Sequence, residues 1–92
     1  MMLSKNPTFI KHKILIEEAL SNIAEPTRSS GNYLFDQMLM SAEELDSILD
    51  AKNGERPTPM MLTVRRDEFH KHCRNLGDWL KENAPDLNLE WN

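Results

Sequence analysis

A mainly α-helical fold of three helices is what this sequence predicts, and three observations carry the prediction. Apolar residues recur at helical spacing in three separate stretches. The middle stretch is rich in helix formers and lacks β-branched residues between Tyr33 and Ser47. Breaker clusters divide the chain: "EPTRSSGN" at 25–32, "NGERPTP" at 53–59 and the shorter "NAPD" at 83–86. The compositions of residues 60–64 and 87–91 also permit a minor two-stranded β element. The 92 residues are read as a single domain, 1–92, near the size at which one core is adequate but not generous.

The first helix is expected in "PTFIKHKILIEEALSNIA", opened by Asn6 or Thr8 and closed before Pro26. At about 100° per residue, Phe9, Ile16, Leu20 and Ile23 fall on one stripe, with Ala19 and His12 at its edge. Ile10 and Ile14 point well away from that stripe. Either the loop at 25–32 or a second copy of the chain must cover them.

For the second segment, "YLFDQMLM" at 33–40 has some strand-like alternation, and Ser41 with Glu44 matches a capping box. Against a boundary there, Phe35, Met38, Ala42, Leu45 and Leu49 step by about 3 and 4 throughout. One long helix over residues 32–53, closed by Gly54, satisfies more of the sequence.

The third helix is expected over residues 66–84. Phe69, Cys73, Leu76 and Leu80 lie within an arc of about 60°, Asp67 and Glu68 suit the positive N-terminal end, and Pro85 stops it. The flanking "MMLTV" and "LNLEW" are the two candidate strands, and Leu87, Leu89 and Trp91 alternate cleanly. Joined through a helix they would lie parallel, and an isolated parallel pair is weak.

The net charge of −4 argues against non-specific nucleic-acid binding. Cys73 is the single cysteine, so no intrachain disulfide forms and a cytoplasmic location is expected. No apolar run is long enough to span a membrane, and Lys11 and Lys13 interrupt what would be the apolar centre of a secretory signal.

The stretch "EFHKHCRNL" at 68–76 looks most like chemistry. On a helix, however, His70 and His72 stand about 200° apart and cannot grip one metal. Cys73 falls on the apolar arc, where a thiol behaves as a small hydrophobe and burial raises its pKa. His72 shares a flank with Trp79, and His70 lies on the other flank near Gly77. Zinc spacing and a phosphate-cradling glycine loop are both missing, so no metal, cofactor or catalytic residue is expected and an enzyme is not predicted.

Acids are more suggestive. Glu43, Asp46 and Asp50 step along one side of the second helix, with Asp36 a little further round, and such a stripe can dock onto a basic surface of another protein. Trp91, beside the C-terminus, must fold back or meet a partner. Together these observations predict a small acidic protein that binds another macromolecule: a bacterial or phage accessory inhibitor, an antitoxin-like partner or an adaptor. The expected partner-binding residues are Asp36, Glu43, Asp46 and Asp50. A homodimer is expected, with contacts at Ile10, Ile14 and Trp91. The alternative is a DNA-binding regulator using the basic segments 5–13 and 65–74, with Lys5, Lys11, Lys13, Arg65 and Arg66 as contacts. The opposite signs at Asp67 and Lys71, and at Arg74 and Asp78, weigh against it, because i, i+4 pairs of this kind predict a self-paired surface.

Overall fold

The computed structural model describes residues 3–50 and 58–87, Asp50 by its backbone alone. A short 3-10 turn, Leu3–Lys5, leads into α1 (Pro7–Ser21), α2 (Thr27–Asp50) and α3 (Pro59–Asn83). No strand occurs among the described residues.

Local chemistry explains most of these boundaries. Asn6 caps α1: its side-chain oxygen accepts from the amides of Thr8 and Phe9 at 2.9 and 3.2 Å, and Pro7 occupies the first turn, where a missing N–H costs nothing. At the start of α3, Thr58 accepts from the Met61 amide at 3.1 Å and Pro59 follows it. That cap sits well upstream of the expected start near residue 66. It draws residues 60–64 into helix, so the first candidate strand is not one; "TP" is a helix-opening pair that a breaker count reads as loop. Of the second candidate strand, only Leu87 lies within the described residues, and it is not in a strand.

α2 likewise starts earlier than its expected residue 32. Thr27 to Asn32, part of the first breaker cluster, form its first turns. The preceding Glu25–Pro26 peptide is cis. The Glu25 carboxylate accepts from the Ser29 hydroxyl and from Arg28 Nε, the latter at 3.1 Å, and these two bonds hold it below the usual carboxylate range. Ser41 opens no helix: its hydroxyl donates to the Met38 carbonyl at 2.8 Å inside continuous α2.

Two contacts fix the direction of α3 against α2. Arg65 reaches Glu44, and Trp79 covers Gly31, so the helices are antiparallel. Two more fix α1: Leu3 and Ser4 meet Asp46, and Leu20 meets Gly31. α1 therefore runs antiparallel to α2 and along α3, giving an up-down-up arrangement of 45 × 21 × 21 Å. Two helices of 24 and 25 residues, each about 36 Å long, account for most of the long axis.

The core lies where the predicted stripes meet. Ile16 and Leu20 of α1, Phe35 and Met38 of α2, and Cys73, Leu76 and Leu80 of α3 are all buried together. Phe9, Ile23, Phe69 and Trp79 pack around them, and Leu87 returns against the same cluster. Each such side chain contributes roughly 1.5–3 kcal/mol on burial, and this term, not helix propensity, holds three helices in place. α1, with 15 residues, is shorter than its neighbours. The α2–α3 pair projects past it at one end, and there Met60, Met61 and Val64 stand exposed.

Candidate interaction faces

The expected acidic stripe is divided by the fold. Asp46 is only 7% exposed, turned inward to the turn at the start of the chain. Its two carboxylate oxygens accept from the amides of Leu3 at 2.6 Å and Ser4 at 2.9 Å. This corrects its assignment as a partner-binding acid: the side chain is committed within the molecule. Those two amides precede the first helix, and without Asp46 they would compete for water from a half-buried position. The side chain of Asp50 lies outside the described residues.

Asp36 and Glu43 remain on the surface, in different company from that expected. Tyr33, Asp36, Met40, Glu43 and Ser47 step by 3, 4, 3 and 4 along the outward side of α2, and all five are exposed. Tyr33 is 63% and Met40 54% exposed. The face therefore alternates large contact side chains with carboxylates. Glu44, one position further round, is drawn off to Arg65 at 3.0 Å.

On α1, Ile10 and Ile14 are 43% and 50% exposed, and with Pro7, Lys11 and Leu15 they line a shallow outer surface. The segment after Glu25 does not cover them. Trp91, the third expected dimer contact, lies outside the described residues.

A third feature is a groove of about 760 Å³ between the start of α1 and α3. Leu3, Phe9, Phe69 and Cys73 form its apolar part; the Phe9 and Phe69 rings are tilted at 55° with centroids 6.1 Å apart. His12, His70, Arg74, Asp78 and Lys81 stand around it, with Gly77 between. Neither Arg74 nor Lys81 makes an ion pair among the described residues, and Asp67 and Lys71 do not pair either. The expected self-paired surface of α3 is thus replaced by unmatched cations at the groove.

The stretch that looked most chemical is distributed by the helix. His70 faces the groove, while His72 is half-buried on the flank of α3 that also carries Trp79. Cys73 is buried, and desolvation pushes its thiol from 9.0 up to about 12, the wrong direction for a nucleophile. Among the described residues no group of three His, Cys, Asp or Glu side chains could hold a metal ion.

The basic residues of the DNA-binding alternative do not gather. Arg65 is held by Glu44 and, at 3.2 Å, by Glu68. Lys11 and Lys13 are both exposed but stand about 160° apart around α1. Lys5 lies in the initial 3-10 turn, and Arg66 is exposed on α3.

The groove and the mixed face are both legible as spacings, 70-74-77-81 and 33-36-40-43, but a count of charges alone passes over Tyr33 and Met40. None of the described helices is long and apolar enough to cross a membrane. No family model, no curated protein and no solved structure matches the chain.

Proposed function

We propose that this chain is a binding protein, not an enzyme, and that it works in the cytoplasm by docking the outward face of α2 onto a basic, partly apolar surface of another protein. One observation carries the reading: exposed Tyr33 and Met40 interleave with Asp36 and Glu43 along a single face. Tyr and Met are enriched at the contact core of protein interfaces, Tyr supplying area at modest entropic cost and Met adapting its shape to the partner. Carboxylates beside them steer a cationic partner and fix its register. A small inhibitor, an antitoxin-like partner or an adaptor of bacterial or phage origin fits this description.

The test is affinity capture from the source cell with the wild-type chain and with an Asp36→Lys, Glu43→Lys variant. Proteins retained by the first and lost from the second support the reading. Equal retention by both would overturn it. Both positions are exposed, so helical content should be unchanged.

A further inference from the structure

We propose that the groove between α1 and α3 receives the outward α2 face of a second copy, so that the protein associates head to tail. The inference rests on the reading of that α2 face as a docking surface, and it names one occupant for the groove. Three features fit together. The groove offers an aromatic floor, Phe9 and Phe69, beside two cations, Arg74 and Lys81, that have no partner among the described residues. The α2 face offers an aromatic ring and a thioether beside two carboxylates. The spacings also agree: Arg74 and Lys81 are seven residues apart on one helix, as are Asp36 and Glu43 on the other, about 10.5 Å in each case.

With the two helices parallel, Asp36 meets Arg74 and Glu43 meets Lys81. Tyr33 then falls at the level of Lys71, one residue past His70, and Met40 at the level of Asp78, one residue past Gly77, whose missing side chain leaves room beside it. Asp78 also borders the groove and opposes the incoming acids. It lies further round the helix from the apolar floor than either cation, by about 40° from Arg74 and 60° from Lys81. The cations therefore stand between it and the floor.

The donor face and the acceptor groove belong to different sides of the chain, so the contact is heterologous. Each added copy presents another face and another groove, and growth ends only in a ring or by exhaustion of protein. Because the same α2 face serves both purposes, self-association and capture of a foreign partner exclude one another.

Sedimentation velocity of the full chain across a concentration series tests the proposal. Wild type should grow with concentration and dissociate as salt rises, since exposed charge pairs are screened. Asp36→Lys with Glu43→Lys, and separately Arg74→Glu with Lys81→Glu, should each weaken association by at least about tenfold. The chain carrying all four reversals should associate again. The neutral variants Asp36→Asn with Glu43→Gln and Arg74→Gln with Lys81→Gln should shift in the same direction by less, and they serve if a reversal disturbs folding. Ile14→Asp should leave association intact.

A wild type that stays monomeric at every concentration overturns the proposal. So does a fourfold reversal that stays monomeric, or an assembly dispersed by Ile14→Asp and untouched by the charge reversals, which would place the contact on the outer face of α1. The foreign-partner reading fails separately. Its readout is capture by the Arg74→Glu, Lys81→Glu chain, which keeps the α2 face intact.

Discussion

Trp79 of α3 lies on Gly31 of α2, where a Cβ would fall 2.7 Å from Cζ3 of the indole and 2.6 Å from Cδ2 of Leu20. Glycine inside a helix costs roughly 1 kcal/mol relative to alanine, so its presence there reflects contact, not local preference. Gly31→Ala should therefore destabilise the protein by about 1–3 kcal/mol despite the gain in helix propensity. In a Trp79→Leu background the same change should cost less, the remainder coming from Leu20, and equilibrium urea unfolding of the four chains gives the coupling. Additive effects would show that the two residues do not share one packing site.

Asp46 joins the start of the chain to α2. Replacing it with alanine leaves the amides of Leu3 and Ser4 without their acceptor. Hydrogen bonds to a charged group contribute about 1.5–3 kcal/mol, so a loss of that order is expected in the free energy of unfolding, read from urea denaturation. Asp46→Asn should retain part of it, because the amide oxygen still accepts. An alanine variant as stable as wild type would return Asp46 to the surface acids.

Cys73 should behave as a core residue. With its thiol pushed to about 12, the native thiolate fraction at neutral pH is lower by about three orders of magnitude than for a free cysteine. Alkylation of the native protein should be at least about a hundredfold slower than after unfolding. The folded pKa lies above the unfolded one, so the thiol's contribution to stability is complete below pH 9.0 and is lost as pH rises to about 12. The stability difference between wild type and Cys73→Ala should narrow over that window.

Arg65 is tied to Glu44 and Glu68 on an exposed surface. Arg65→Ala should cost no more than about 1 kcal/mol, diminishing with salt. Duplex DNA should not be retarded at physiological salt, since Lys11 and Lys13 cannot serve one face. Retardation that weakens steeply with salt and disappears in an Arg65→Ala, Arg66→Ala chain would favour the regulator reading instead.

Helical periodicity made the core readable in advance: Ile16, Leu20, Phe35, Met38, Cys73, Leu76 and Leu80 were all placed on inward stripes by spacing alone, and all are buried. Errors came where one residue type serves two purposes. Gly31 and Pro59 punctuate loops in most sequences, yet here one relieves a helix crossing and the other opens a helix. Asp46 shared the spacing of the acidic stripe, and only the chain folding back from residue 3 converts it into an anchor. No local pattern encodes a contact between residues 43 apart.

The overhang of α2 and α3 beyond α1 sets a gradient along the molecule. At the Gly31 end, three helices and the returning Leu87 enclose the core; at the end carrying Met60, Met61 and Val64, only the short Leu3–Lys5 turn lies against the α2–α3 pair among the described residues. Amide protons near Ile48 and Leu62 should exchange with solvent deuterium through local opening, while those near Leu20, Phe35 and Leu76 should wait for global unfolding. The protein should thus behave as a clamp with one tight end, parting first at the other on its way to the unfolded state.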